Sequence, residues 1–227
     1  MPEKKKANMY SDSVKQWNCF VGCFYDCVYC EKSFKAQMKR QKHNCIECYN
    51  YEPHFHENRL NDKLPRTYGD EFIWCCSSSD IHFAEKEWIE KILDRIYEMP
   101  ERTFFFQTKD PDIFNNFRFP ENVLLGVTIE TNRYYPISSA PHPYLRMTAF
   151  ERVQHPRKVI TIEPILDFDH DELLTWVSYI TPERVYIGYD TKKCHLPEPP
   201  MSKTRKLINE MKKITTVKTK YLKEEVK

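Results

Sequence analysis

The sequence predicts an α/β fold in which a parallel sheet curls into a partial (β/α)6, TIM-like barrel with its helices on the outside. Two observations lead to this prediction. Short apolar or β-branched runs bounded by turn residues, which are typical of buried parallel strands, recur along the chain. Segments of helical periodicity separate them, and such alternation is characteristic of right-handed βαβ units. Six of these units in a curved sheet would form three-quarters of an eight-stranded barrel.

Each element is predicted from its own local pattern. The six strand candidates, of which the first has the weakest pattern, are Val14–Asn18, Phe72–Ser77, Thr103–Thr108, Val123–Ile129, Val159–Glu163 and Val185–Tyr189. A seventh strand is expected at Thr216–Leu222. The helix candidates are Glu31–Lys42, Glu85–Met99, Asp110–Phe117, Tyr144–Val153, Asp169–Ile180 and Ser202–Lys213. The pattern is clearest in Glu85–Met99, whose apolar residues recur on one face before Pro100 ends the helix.

Length and cysteine content limit the possible classes of protein. The 227 residues favour a single domain spanning 1–227, with residues 43–66 as a small Cys- and His-containing insertion. The longest apolar run, Val123–Ile129, is too short to cross a membrane. Nine cysteines, an odd number with no recognisable signal peptide, favour a reducing compartment, so we expect a cytoplasmic protein.

Three cysteines follow the first predicted strand with the spacing C-x3-C-x2-C, at Cys23, Cys27 and Cys30. Thiolates this close in sequence can hold an iron–sulfur cluster. Three of them would leave one of four irons without a protein ligand, free to bind a substrate or cofactor. A plain helical stripe is disfavoured by Gly22 and by the aromatic residues between the cysteines. Structural zinc sites usually pair two short knuckles across a longer loop, so the spacing favours a cluster, with zinc as the alternative.

Polar residues stand at the ends of most other predicted strands. They are Ser77, Ser78, Ser79 and Asp80; Gln107, Thr108 and Lys109; Glu130 and Thr131; Glu163; and Tyr189 and Asp190. In a barrel of parallel strands the chemistry lies beyond the carboxyl ends of the strands, where the cysteine loop is also expected. Asp80 and Asp110 are equally well explained as helix caps. Lys109, Glu130 and Glu163 are better explained as groups that meet a ligand.

A second group of possible metal ligands lies further along the chain. Its members are Cys45, Cys48, His54 and His56. Two cysteines and two histidines suit tetrahedral zinc, although H-x-H is tighter than the common spacing. Two alternatives stay open: an auxiliary iron–sulfur cluster that includes Cys75 or Cys76, and unligated side chains on an exposed loop. Cys19 is expected to be a small buried residue, as are Cys75 and Cys76.

The cysteine triad, with Tyr29 directly before its last member, resembles the signature of the radical S-adenosylmethionine (radical SAM) superfamily. The segment from Asn18 to Cys30 is similar to the opening motif of the spore photoproduct lyase-like branch. Later strings resemble an uncharacterised, often phage-associated radical SAM group: Ser77–Asp80, Thr108–Pro111, Leu125–Glu130 and Ile162–Leu166. The likeness spans nearly the whole chain.

This resemblance implies a partial barrel of radical SAM type and an enzyme with a [4Fe–4S] cluster on Cys23, Cys27 and Cys30. S-adenosylmethionine would bind the fourth iron and be cleaved by one electron to methionine and a 5′-deoxyadenosyl radical, which abstracts hydrogen from a substrate. A one-electron donor such as flavodoxin or ferredoxin would supply that electron. The cofactor-binding residues implied are Tyr29 at the adenine, Ser78 and Asp80 at the methionine amino group, Lys109 at its carboxylate, Glu130 and Thr131 at the ribose, and Glu163, with Tyr189, nearer the substrate side.

The substrate and a rival function remain to be distinguished. An open barrel mouth would suit nucleic acid or a partner protein, and the lyase-like resemblance with the basic C-terminus favours nucleic acid. Positive charge is concentrated in Lys4–Lys6, Lys32–Lys42 and Met201–Lys227, each expected to be a solvated face or tail. The rival is a zinc-containing nucleic-acid-binding protein without catalysis, using the basic helices and exposed Tyr49 and Tyr51.

Overall fold

A computed structural model describes residues 10–222; the predicted basic segment Lys4–Lys6 and the last part of Met201–Lys227 lie outside them. The strands are β1 (Ser13–Trp17), β2 (Phe20–Val21), β3 (His54–Phe55), β4 (Phe72–Cys75), β5 (Phe104–Thr108), β6 (Val123–Thr128), β7 (Lys158–Ile162), β8 (Arg184–Ile187) and β9 (Thr216–Thr219). The α-helices are α1 (Ala36–Met38), α2 (Ile46–Asn50), α3 (Lys86–Tyr97), α4 (Pro143–Arg152), α5 (His170–Ile180) and α6 (Met201–Met211). Across residues 10–222, no helix combines the length and apolar character needed to cross a membrane.

Seven of the strands form one curled, parallel sheet in the order β1-β4-β5-β6-β7-β8-β9. Every neighbouring pair in it is parallel. The predicted α/β class, the parallel order and the partial-barrel curvature are therefore confirmed, and the expected seventh strand is present. The antiparallel pair β2–β3 was not predicted, because strands of two residues carry no readable alternation.

Alternating side chains give the sheet two different faces. The outer face packs beneath the helices; in α3 the buried residues are Ile89, Ile92, Leu93 and Ile96. The concave face holds a smaller cluster formed by Tyr10, Phe72, Trp74, Phe105, Leu124, Val159 and Tyr186. Tyr10 precedes β1 and meets rings from three strands edge-on, among them Trp74 at 4.8 Å and Tyr186 at 4.6 Å. Tyr10 thus fills the concave interior, and the space above it is left for a site.

A helical segment is present at Glu31–Lys42, as predicted, but it does not lie among the outer helices. It is irregular, with a π-helical turn at Glu31–Lys35, then α1, then a 3-10 turn at Lys39–Gln41. Phe34 faces Trp74 on the concave side, with ring centroids 6.4 Å apart. This segment therefore lies across the mouth of the sheet, whereas the prediction placed it among the outer helices.

Candidate active-site cleft and metal centre

The loop that carries the cysteine triad lies over the carboxyl ends of the strands. After β2, Gly22 forms a parallel bridge with Ser79, and its amide donates to the Ser78 carbonyl at 3.1 Å. Cys23, Cys27 and Cys30 then line one cleft of about 580 Å³. Other side chains of this triad cleft are Tyr29, Tyr51, Asp80, Gln107, Lys109 and Glu163. The tertiary structure thus brings the three predicted cluster ligands to the end of the sheet where the chemistry was expected.

The three thiols differ in how readily they ionise. A hydrogen bond from Cys30 lowers the pKa of Cys27 to about 7, and the same bond raises the pKa of Cys30. Burial raises the pKa of Cys23, and the nearby Asp80 carboxylate adds to that effect. The thiolate form is therefore favoured at Cys27 and disfavoured at Cys23 and Cys30.

Asn18 ties the cysteine loop to the end of β4. Its side-chain oxygen accepts hydrogen bonds from the Ser77 hydroxyl at 3.0 Å and the Ser78 amide at 3.1 Å. Its amide group donates to the Ser78 hydroxyl at 3.3 Å. Ser77 and Ser79 line the triad cleft, whereas Ser78, the predicted contact for a methionine amino group, is turned toward Asn18. The role of Asn18 could be suspected from its place in the motif, but its partners could not.

Asp80 acts as the predicted cap and also binds the end of β5. Its carboxylate accepts from the His82 amide at 3.1 Å, as a cap does, and also from the Thr108 hydroxyl at 2.5 Å and the Lys109 amide at 2.8 Å. Burial raises the pKa of Asp80, and these hydrogen bonds oppose the rise. Asp110 occupies the N-cap position of the 3-10 helix Pro111–Asn116, as predicted, but its side chain makes no cap bond and its carboxylate lies 3.1 Å from the His82 ring nitrogen.

Glu130 is the centre of a buried ionic network beside the triad cleft. Its carboxylate accepts from Lys109 Nζ, from Arg146 at 2.7 Å and from the Tyr29 hydroxyl at 2.5 Å. Burial alone would raise the pKa of Glu130, but the two cations hold it at about 2. The network fixes the Tyr29 ring at the edge of the cleft. Arg146 was missed, because nothing in the pattern of α4 shows that one arginine points inward.

The groups predicted to contact the ribose and the methionine carboxylate are engaged within the protein. Glu130 and Lys109 bond to each other, and the Thr131 hydroxyl donates to the Asp167 carbonyl at 2.6 Å. A ligand would have to share or displace these bonds. These hydrogen bonds position the Tyr29 ring and the end of β6.

Glu163 carries the free acceptor of the site. One carboxylate oxygen accepts from Lys220 at 2.9 Å, and the other is buried without any hydrogen-bond partner. Burial raises the pKa of Glu163, and Lys220 opposes the rise. The side chain borders both the triad cleft and an adjoining open cleft of about 1220 Å³. An alanine Cβ at Gly188 would lie 3.1 Å from this carboxyl group, so glycine there leaves room for it.

Tyr189 does not present its hydroxyl to the cleft. That hydroxyl bonds to the Thr204 hydroxyl at 2.6 Å and to the Pro199 carbonyl at 3.0 Å, toward α6. Tyr189 does border the adjoining cleft, in agreement with a place nearer the substrate side, but its hydroxyl is bound by the outer helix layer.

Cys45, Cys48, His54 and His56 converge on one point, with their ligand atoms within 4.8 Å of one another. Cys45 caps α2, and its sulfur accepts from the Cys48 amide at 3.3 Å. The sulfur of Cys48 lies 3.3 Å from His54 Nε2 and 3.1 Å from His56 Nε2. Tetrahedral zinc would separate such atoms by about 3.3–3.8 Å, so the shorter contacts would lengthen slightly and the wider separations, which reach up to 4.8 Å, would shorten. This group could bind a metal ion, and its donor set is typical of zinc.

The tight H-x-H spacing follows from β3. Residues two apart on an extended chain point to the same side, so His54 in β3 and His56 directly after it face the cysteines together. Phe55 points the other way and stacks on Trp88 at 5.7 Å. His54 Nδ1 donates to the Glu52 carbonyl at 2.7 Å, which leaves Nε2 as the ligand atom.

The structure fits the two alternatives for these four residues less well. The side chains converge on one point, which independent groups on an exposed loop would not do. Cys75 and Cys76 pack with Cys19 in the outer core, away from the four convergent ligands. All three are buried, as expected.

Comparison with known proteins identifies a family but no activity. A protein-family model described as "Protein of unknown function (DUF5131)" matches residues 9–180, which include β1–β7 and both cysteine groups. A search of curated proteins finds no match. Since the matched segment covers well over half of the sequence, this chain belongs to the DUF5131 family.

Proposed function

We propose that this protein is a radical SAM enzyme, with a [4Fe–4S] cluster on Cys23, Cys27 and Cys30 and an S-adenosylmethionine cofactor in the triad cleft. The observation that carries the proposal is the position of three free thiols around one cleft, at the carboxyl ends of a curled parallel sheet. Barrels of parallel strands place their chemistry at this end. Thiolates are the usual protein ligands of such clusters.

The donor set fits a cluster with one open iron. Cys76 also borders the cleft and is the obvious candidate for a fourth ligand. Its side chain is buried and packs within the outer core. The triad alone is therefore assigned as the ligand set.

The bound cofactor would supply a 5′-deoxyadenosyl radical when one electron from an external donor, such as flavodoxin or ferredoxin, cleaves its carbon–sulfur bond. The protein's own residues hold and orient the reactants. Tyr29, fixed by Glu130, forms a rigid edge shared by the triad cleft and the adjoining cleft. Glu163 offers its unpartnered oxygen to an amino or hydroxyl donor of the cofactor or substrate. A buried acceptor left unpaired is costly, so a ligand that pairs it gains affinity.

Nucleic acid is the substrate class we propose, with a partner protein as the second. The adjoining cleft is open, and Lys192 borders it with Gln16 and Gln37, whereas its other lysine, Lys220, is paired with Glu163. Lysine and amide groups suit phosphates and base edges. Binding of single- or double-stranded oligonucleotides should then weaken steeply with salt. Salt-insensitive binding, or none, would favour a protein substrate.

Anaerobic reconstitution tests the cluster. The wild-type protein should bind about four irons per chain, and each single alanine variant of Cys23, Cys27 and Cys30 should lose most of this iron. Cys194→Ala, at a partly exposed position outside the triad, is the matched control and should retain it. With dithionite and S-adenosylmethionine, wild type should release 5′-deoxyadenosine. Full iron in Cys23→Ala, or loss of iron in Cys76→Ala to the same degree, would contradict the assignment.

The zinc-containing nucleic-acid-binding alternative has the Cys45–His56 group in its favour, but several of the side chains predicted to serve it are engaged within the protein. Tyr51, predicted to be exposed, is buried against the triad, so that prediction is wrong and this ring cannot stack on bases. Lys39 covers the Tyr49 ring at 4.3 Å, and Lys35 is paired with acidic side chains. A colourless protein that holds zinc alone and produces no 5′-deoxyadenosine would support this alternative.

A further inference from the structure

We propose that zinc bound by Cys45, Cys48, His54 and His56 is a structural ion that holds the cysteine-triad loop in place, so that filling this site is a condition for assembling the other. The segment Cys45–His56 is called the metal knuckle below. The consequence for iron rests on the proposed function, whereas the zinc site and its hold on the loop do not.

The ligand set describes a closed site. Four protein ligands complete a tetrahedron and leave no position for substrate, which is the pattern of structural zinc. Two thiolates and two neutral imidazoles around Zn²⁺ carry no net charge. Such a group can lie against the core without the cost of a buried charge. Cys48 is buried there, and the other three ligands are partly buried.

The metal knuckle and the triad loop are joined by backbone contacts along their length. β3 pairs with β2, with Val21 opposite His54. The His56 amide donates to the Cys19 carbonyl at 2.6 Å, and the Cys23 amide donates to the Tyr51 carbonyl at 3.3 Å. The chain leading into the triad is therefore held on one side by the metal knuckle. On the other side it is held by Ser77–Ser79, in part through the side chain of Asn18.

Two further contacts strengthen this connection. Gly22 lies so close to the metal knuckle that a Cβ would be 2.2 Å from the Glu52 backbone. Arg59, just beyond the metal knuckle, donates to the Asn18 carbonyl at 2.8 Å. Tyr51 belongs to the metal knuckle and forms a wall of the triad cleft. A shift of the metal knuckle would therefore displace both the loop and the cleft wall.

The metal knuckle has little regular structure with which to hold itself. α2 has five residues and β3 has two. Helices and ladders this short are marginal in water without tertiary support. Because a structural ion contributes its binding energy to folding, zinc is what would stabilise this conformation.

The experiment compares zinc content, amide exchange and iron uptake in three variants. The double variant Cys45→Ser/Cys48→Ser removes the metal knuckle's thiolates; the triple alanine variant of Cys23, Cys27 and Cys30 removes the triad; Cys194→Ser is the control. Wild type, the triple variant and the control should each hold about one zinc per chain, and the double variant none. In iron-free protein, amide exchange of peptides covering Cys19–Cys30 should be at least about tenfold faster in the double variant. Its iron uptake should fall by a similar factor.

A second experiment distinguishes the effect of losing zinc from misfolding caused by the substitutions. Zinc removed from wild type by a chelator should produce the same faster exchange, and its return should reverse it. His56→Cys, which converts the set to another known zinc combination, should keep both zinc and slow exchange.

Three results would overturn the inference. Zinc retained by the double variant, or lost from the triple variant, would refute the ligand assignment. Zinc lost with exchange of Cys19–Cys30 unchanged would refute the hold on the loop. Zinc lost with iron uptake unchanged would refute the dependence of one site on the other. If wild type binds no iron at all, the proposed function fails, while zinc content and exchange still decide this inference.

Discussion

Replacing Gly22 with alanine would test the close contact between the triad loop and the metal knuckle. Gly22 has φ +104°, and a Cβ there would lie 2.2 Å from both the carbonyl carbon and the carbonyl oxygen of Glu52. Both are backbone atoms, so rotation of a side chain cannot relieve the clash. Reaching ordinary contact at 3.4 Å requires a shift of 3.4 − 2.2 = 1.2 Å between the two segments.

The size of the effect can be worked out from the contacts that this shift would break. A positive φ costs alanine about 1–2 kcal/mol. The shift would also break the Gly22–Ser78 and Cys23–Tyr51 hydrogen bonds, at 3.1 and 3.3 Å, which contribute about 1 kcal/mol each. Together these terms give a loss of about 3–4 kcal/mol in the free energy of unfolding.

Gly69→Ala is the matched control. Gly69 also has a positive φ, +57°, but a Cβ there would meet nothing within 4 Å, so only the conformational cost of about 1–2 kcal/mol applies. Urea unfolding should separate the two variants, and zinc content should fall only in Gly22→Ala. In thermal unfolding the difference corresponds to roughly 6 °C. Equal losses at both positions would refute the close contact.

Three other predictions concern the network around the cleft. Asn18→Ala removes three hydrogen bonds and should lower the free energy of unfolding, measured in urea, by about 2–3 kcal/mol. The control Asn50→Ala, at an exposed position, should lower it by less than about 0.5 kcal/mol. Similar losses in the two variants would argue against the role of Asn18. Glu130→Gln leaves two buried cations unpaired and should lower the free energy of unfolding by about 3–5 kcal/mol. Because the folded pKa of Glu130, about 2, lies below its ordinary value of 4.5, the carboxylate's contribution is present above pH 4.5 and is lost as the pH falls to 2. The loss of stability over that range should be shallower in Glu130→Gln than in wild type, and parallel curves would contradict the pairing. Lys220→Met should raise the pKa of Glu163 further, as followed by carboxyl-carbon NMR, and a fall would be inconsistent with the ion pair.

Much of the fold could be predicted because its elements are local patterns. A strand such as Val123–Thr128, which is buried on both faces, corresponds to a largely apolar run in the sequence. The apolar residues of α3 recur at helical intervals. The cysteine spacing likewise predicts a metal-binding loop. Since β1 precedes that loop and parallel strands end at one edge, its place at the barrel mouth followed from chain order alone.

The remaining features depend on residues that are distant in the chain and carry no local mark. Arg146 reaches Glu130 from an outer helix, and Tyr51 turns inward only because β3 pairs with β2. Tyr189 turns outward because Thr204 lies beside it on α6. Chain order and periodicity specify which residues can form elements, whereas the directions of these polar side chains are set by which partners the packed layers bring within hydrogen-bonding distance.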